Sequence, residues 1–318
     1  MNSPSIPWQD DLLIKIAGVK DQHFPQGALY VVGLPIGNLG DMTLRALWVL
    51  AHVDAVAAED TRETRKLLEH YGISTHLLSV REHNERRGAE QICEMLSDGR
   101  RVAVVTDAGT PAISDPGARV VESVRRAGFR VVPIPGASAV VTALSAAGLT
   151  AQTFRFAGFL PSQGKARRCV LDELTGTREA FVLYEAPHRI DSLLKDLQAG
   201  LSGDRRVVIA RELTKRFEEV AECPAKELAQ WSAQHEARGE YAVVVDEEPK
   251  RASRVDLSGA DIRWIAALQP WLPASRLAAV AAKVTGLPRQ QIYERLTSEK
   301  TAHQEMEDHK DERPSYEH

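Results

Sequence analysis

Short apolar runs alternate with helical repeats along most of this chain, and that alternation restricts its fold more than any other feature. Leu29 to Val32 reads as a strand, a Gly/Pro loop follows, and Thr43 caps an apolar-periodic helix to Ala51. Ala55 to Ala58 is a second strand, Thr61 to Tyr71 a helix stopped by Gly72, and Gly88 to Ser97 a helix closed by Asp98-Gly99. Val102 to Val105 reads as a buried strand, Ala118 to Arg126 as a helix ended by Gly128, and Phe129 to Val132 as a strand. Ala139 to Ala147 follows as a helix of small residues with Gly148 behind it. Parallel strands need long crossovers, so this order predicts an α/β fold with a mostly parallel sheet and helices on both faces.

The rhythm then loosens. Phe154 to Gly158, Phe181 to Tyr184, Val207 to Ala210 and Tyr241 to Val245 read as strands, with helices at Ile190 to Leu197 and Ala225 to His235. This half is expected to be α/β with more antiparallel pairing. The boundaries are an extension over 1–27, lobes over 28–150 and 151–246, a linker over 247–259 and a small helical module over 260–298. The module shows three helical patterns, Asp261 to Leu268, Ser275 to Thr285 and Arg289 to Leu296. Leu277, Val280, Val284, Ile292 and Leu296 are its expected core-directed side chains, and Arg276, Lys283, Arg289 and Arg295 point outward against Glu294. Such an outward face is either solvated surface or a clamp on RNA phosphates.

At 318 residues and 43% hydrophobic, the chain has material for a sizeable core. No run approaches the ~18 apolar residues of a membrane helix, and the start of the chain lacks a basic segment followed by an apolar block. Cys93, Cys169 and Cys223 lie far apart, without CxxC or HExxH spacing. A reduced, cytoplasmic protein without metal or membrane attachment is expected. The net charge of −4 sits in the tail, where six acidic residues after Lys300 face only Lys310 and Arg313. The body is formally neutral, and residues 299–318 read as a disordered acidic tail.

Three loops follow strands and precede helices, where α/β proteins bind ligands. They are Gly33 to Thr43, Asp107 to Gly117 and Pro133 to Ala139. Singly each is a tight turn; together they would line one crevice edge. Pro35 occupies the second glycine position of a dinucleotide fingerprint, and no Gly-Lys-Ser/Thr follows, so neither a nicotinamide site nor a P-loop is supported.

Several strings are more specific: Pro35-Ile36-Gly37-Asn38-Leu39, Ala58-Glu59-Asp60-Thr61-Arg62, His83-Asn84-Glu85, Asp107 to Gly117, Gly158-Phe159-Leu160-Pro161, Tyr184 to Arg189 and Arg211 to Lys215. With them, residues from Ala28 to about Leu296 resemble the tetrapyrrole-methylase superfamily of S-adenosylmethionine-dependent methyltransferases. Within it, the chain is similar to the enzymes that methylate a cytidine 2′-oxygen in 16S ribosomal RNA. Leu34 departs from the threonine usual there. The resemblance implies a two-lobed class III methyltransferase fold, a homodimer, and a small-subunit ribosomal RNA substrate.

It also implies a cofactor held by backbone and small side chains at Pro35, Ile36, Gly37, Asp107, Ala108, Gly109, Thr110, Ile113, Ser138 and Ala139, with Glu185 and Leu213 from the second lobe. For Ile113 and Leu213, core packing is the competing role. Transfer to a ribose hydroxyl calls for a general base, and Glu59, Asp60 and His83 are the candidates. Arg62 is either a phosphate clamp or the partner of Glu59 or Glu63 in a surface ion pair. The competing readings are a tetrapyrrole or other small-molecule methylase of the same fold, and a non-catalytic RNA-binding assembly factor.

Overall fold

The computed structural model describes residue 15 and residues 18–81, 84–149, 151–248, 257–293 and 295–297. The chain divides into two compact units, one ending at Glu248 and the other beginning at Pro249. Both α/β lobes therefore lie within the first. Most of the extension and of the linker, and all of the acidic tail, fall outside the described residues.

The first sheet holds β1 (Ala28–Val32), β2 (Ala55–Ala58), β3 (Leu77–Ser79), β4 (Arg101–Val105) and β5 (Arg130–Ile134), in the order β3-β2-β4-β1-β5. Every pairing is parallel, with Ala28 opposite both Arg101 and Arg130. Its central strands are apolar on both faces because helices cover both. Tyr30, Val32 and Val56 pack against α1 (Leu44–His52) and α2 (Thr61–His70). Leu29, Ala57 and Val102 pack on the other side against α3 (Glu85–Ser97) and α4 (Ala118–Arg126). The Thr43 hydroxyl accepts from the Ala46 amide and starts α1, as its sequence predicts.

The second sheet holds β6 (Phe154–Phe159), β7 (Ala180–Glu185), β8 (Arg206–Arg211), β9 (Glu219–Pro224) and β10 (Tyr241–Val245), in the order β6-β7-β10-β8-β9. Only β6 and β7 pair in parallel. One face is covered by α6 (Gly164–Gly176), α7 (Pro187–Gly200) and α8 (Leu228–Gln234). The other face is covered by α5 (Ala139–Ala147), which follows the first sheet in sequence yet packs on the second through Val140, Ala143 and Ala147. Small side chains let it lie close, and the Arg206 guanidinium donates to the carbonyls of Ala147 and Gly148 behind it.

Three elements go beyond the sequence expectation. Half-exposed β3 has three residues, α6 buries only Arg167, Leu171 and Leu174 in a charged segment, and β9 is an edge strand with two glutamates. In the second unit, α9 (Gly259–Leu268) is opened by a Ser258/Asp261 capping box and α10 is Ala274–Thr285. Its core is Ile265, Leu277, Ala278, Ala281, Ile292 and Leu296. The expectation that Val280 and Val284 face that core is corrected, since they are 41% and 64% exposed while Ala278 and Ala281 take the buried stripe. Alanines at those positions allow close helix packing, which apolar periodicity alone does not distinguish.

Candidate active site

The three loops meet at the carboxyl edge of the first sheet. Leu34 and Gly109 exchange backbone hydrogen bonds of 2.8 and 3.1 Å, and Thr110 Oγ1 donates to the Ala137 carbonyl at 3.1 Å. Gly33 and Gly136 are in backbone contact, and a Cβ on Gly136 would lie 2.5 Å from the Gly33 carbonyl oxygen. Leu34 is 1% exposed and packs in the core. Its contribution to the loop is thus its backbone.

These loops form one wall of a cavity of about 430 Å³, and the edge of the second sheet forms the other. Ile36, Glu59, Asp107, Ala108, Gly109, Thr110, Ile113, Ser138 and Ala139 line the first wall, and Glu185 and Leu213 line the second. Sequence reasoning missed Ser114, Asp115, Phe159, Tyr184, Ala210 and Ala242 in the same lining. A signal for four of them was available, because Ser114, Asp115, Phe159 and Tyr184 belong to the specific strings of the sequence. The rings of Phe159 and Tyr184 meet edge to face at 5.6 Å.

The backbone on both sides of the cavity is strained. Ala112 and Ser114 have φ of 70° and 64°, and Glu212 and Thr214, in the loop after β8, have 50° and 67°. Each such residue costs roughly 1–3 kcal/mol and persists only where its surroundings hold it. The Ala112 amide donates to the Pro116 carbonyl at 3.1 Å. Buried Glu85 accepts from the amides of Gly117 (2.9 Å) and Arg119 (3.1 Å). The glutamate of the His83-Asn84-Glu85 string therefore anchors the end of the 107–117 loop. His83 itself lies outside the described residues.

Carboxylates dominate the electrostatics. Glu59, Asp107, Asp115, Glu185 and Glu240 line the cavity, and no lysine, arginine or histidine is among its described lining residues. Glu185 is 1% exposed and neutralised by Arg189 (3.1 Å) and Arg167 (3.3 Å), with one oxygen also accepting from the Ala186 amide. Asp115 remains open to the cavity. Crowding by surrounding protein and then repulsion from Asp107 push its carboxyl up to about 6. Burial pushes the Tyr184 phenol up to about 12, so it stays protonated.

Asp60 and Arg62 are not in the lining. Asp60 caps α2 by accepting from the Arg62 amide (2.9 Å) and takes two further hydrogen bonds from the Arg62 guanidinium. Those bonds, side chain first, hold its carboxyl well below the usual carboxylate range. Its own amide donates to Asp107 at 3.1 Å, which orients that carboxylate toward the lining. Of the two alternatives for Arg62, the structure contains an ion pair, though with Asp60 instead of Glu59 or Glu63.

Pro35 and Gly37 face a second cavity of about 520 Å³ between the first loop and α2. It shares Ile36, Asp107, Ala108 and Glu240 with the first cavity, so the two adjoin. Gly37, at φ 145°, is closed off by Lys215, whose Cγ would lie 2.6 Å from an added Cβ.

Comparison with known proteins agrees with this architecture. Residues 28–229 match the family model described as Tetrapyrrole (Corrin/Porphyrin) Methylases. Ribosomal RNA small subunit methyltransferase I of Escherichia coli O157:H7 is 44% identical over 268 residues, covering 84% of this chain and 94% of that one. The protein of the same name from Vibrio cholerae serotype O1 is 45% identical over 273 residues, covering 85% and 94%. Among solved structures, a cobalt precorrin-4 methyltransferase aligns with a TM-score of 0.51 at 20% identity, over 71% of this chain and 98% of its own. At that identity the likeness concerns the fold.

Proposed function

The chain belongs to the tetrapyrrole (corrin/porphyrin) methylase family, and with it to the methyltransferases; from that premise we propose that it transfers the methyl group of S-adenosylmethionine to the 2′-oxygen of a cytidine ribose in 16S ribosomal RNA. The observation that carries this reading is the first cavity, walled by small residues and carboxylates at the carboxyl edge of a parallel sheet. Its residues fit the cofactor. Ala108, Gly109, Ala139, Ala210 and Ala242 leave main-chain groups accessible, and a Cβ on Gly109 would project toward Ile36, 3.4 Å away. An excess of carboxylates suits a ligand carrying positive charge on sulfur and on an amino group. No metal is invoked.

The bound cofactor supplies an already activated methyl group. The chain then has to align the acceptor oxygen and take its proton. Glu59 is the proposed proton acceptor, because it lines the cavity while Asp60 is held by Arg62 and the helix cap. A carboxylate kept so far below its usual range accepts protons poorly. Asp115 and Asp107 hold the cationic part of the cofactor, and Glu185, already paired, fixes the start of α7. Assembly as a homodimer in the cytoplasm belongs to the same reading. Among the described residues no helix is long and apolar enough to cross a membrane.

The test is incubation of the protein with methyl-labelled cofactor and small ribosomal subunits lacking the modification. Label in a cytidine ribose of the small-subunit RNA is expected. In Glu59→Gln, turnover should fall by about 10²–10⁴ with cofactor affinity retained. Label only in a porphyrinoid, or in no substrate, overturns the reading. Loss of turnover in His83→Ala but not in Glu59→Gln reassigns the base.

A further inference from the structure

Lys215 ends the strained loop after β8, and its side chain leaves the second lobe for the first. Its Cγ, Cδ and Cε lie 2.6, 3.1 and 2.7 Å from the point where a Cβ on Gly37 would stand. The methylene stem therefore rests on the bare backbone of the Pro35-Ile36-Gly37 turn. Gly37, at φ 145°, suits both the turn and this close approach. The ammonium donates to Glu212 at 2.7 Å and to Glu240 at 2.8 Å. The Lys215 and Glu212 side chains are only 27% and 18% exposed, so their pair is shielded from solvent more than an ordinary surface pair.

The loop after β8 needs such a hold. Glu212 and Thr214 have φ of 50° and 67° on either side of Leu213, which is mostly buried and lines the first cavity between them. Backbone in that region persists only where its surroundings over-determine it. The Glu212 amide donates to the Glu240 carbonyl at 2.9 Å, and the Glu240 amide donates back to the Glu212 carboxylate at 3.1 Å. Lys215 closes this ring by binding both carboxylates, which without its cation would repel each other. On the other wall, Ile36 of the braced turn packs on the core that contains Leu213, Ala210 and Ala242. Lys215 is thus fixed at both ends, and the residues it steadies, Ile36 and Leu213, both line the first cavity.

We propose that Lys215 is a positioning residue for the cofactor: by bracing the Pro35-Ile36-Gly37 turn with its stem and holding Glu212 and Glu240 with its ammonium, it sets Ile36 and Leu213 at the spacing that S-adenosylmethionine fits. The inference rests on the reading of the first cavity as the cofactor site. A phosphate contact is the weaker account of this lysine. Two carboxylates already take its ammonium, and the three groups together carry net negative charge.

The test compares Lys215→Ala, Lys215→Met and Lys215→Arg by calorimetry with S-adenosylmethionine, by thermal melts and by initial rates on small ribosomal subunits. Lys215→Ala, which loses stem and charge, should weaken cofactor binding about tenfold. Lys215→Met, which keeps a stem, should weaken it about threefold, and Lys215→Arg, which keeps both, should stay within about twofold of wild type. The loss should appear in the KM for the cofactor, with the KM for the ribosomal substrate within about twofold of wild type. Gly37→Ala drives a Cβ into the stem, so its effect on cofactor affinity should be at least about threefold smaller in the Lys215→Ala background. A lysine that serves folding alone would lower the thermal midpoint and leave cofactor affinity unchanged. Wild-type cofactor affinity in Lys215→Met therefore overturns the proposal, whether or not Lys215→Ala folds. A rise confined to the KM for the ribosomal substrate overturns it too, by making Lys215 an RNA contact. A wild-type protein that binds no S-adenosylmethionine removes the underlying reading of the cavity instead.

Discussion

Asp115 stands at the cavity wall, and its elevated carboxyl, pushed up to about 6 by burial and by Asp107, has two opposed consequences. A carboxyl raised above its unfolded value favours folding only while protonated. That contribution is complete below the ordinary carboxylate range and is lost as pH rises through about 6. A cation in the cavity prefers the ionised form, so affinity for S-adenosylmethionine should strengthen over the same interval. In Asp115→Asn both trends should flatten. Thermal melts and calorimetric titrations at about pH 5 and 7.5 read them out, and a wild-type affinity that does not tighten with pH would exclude Asp115 as a cofactor contact. Asp60 behaves oppositely. Its carboxylate, held low by Arg62, stays ionised throughout this window and contributes no slope there.

Among the elements, the loops after β1, β4 and β5 are rigid because they are bonded to one another, and Gly33 and Gly136 are where two of them touch. Gly136→Ala would put a Cβ 2.5 Å from the Gly33 carbonyl oxygen, against backbone that has nowhere to move. A destabilisation of about 1–3 kcal/mol is expected, together with weaker cofactor binding, because Ala137 and Ser138 would shift with it. Normal binding with a normal melting temperature would mean that the loops adapt independently. Much of this was legible in the sequence: strands apolar throughout, caps such as Thr43, and glycine-rich turns each report a local requirement. Ala118–Arg126 and Ala139–Ala147 even have the boundaries expected of them. What stayed hidden depends on partners distant along the chain. No local pattern reveals that α5 packs on the second sheet, that Glu85 caps α4, or that Asp115 is crowded by Asp107. Pro35 and Gly37 belong to a specific string, yet which of two adjoining cavities they face is set by α2 and Lys215.

At the scale of the whole molecule, the unit beginning at Pro249 has its own core, while the cavity residues all precede it. Ile265, Leu277, Ala278, Ala281, Ile292 and Leu296 pack together. Arg276, Lys283 and Arg289 are exposed, and Arg295 is half-buried. Trp271, at 81% exposure, and Tyr293, at 42%, add aromatic surface on which unpaired bases can stack. A truncation after Glu248 should therefore leave cofactor affinity within about twofold and weaken binding to the small ribosomal subunit. Each exposed cation that neutralises a phosphate contributes roughly 0.7–0.9 to the slope of log affinity against log salt. Three such contacts predict a slope shallower by about 2 in the truncated protein. Filter binding across a salt series, with calorimetry for the cofactor, separates the outcomes. A parallel loss of cofactor binding would show that the second unit supports the first. An unchanged RNA affinity and slope would show that its basic face is solvated surface, and that the RNA is held by the first unit alone.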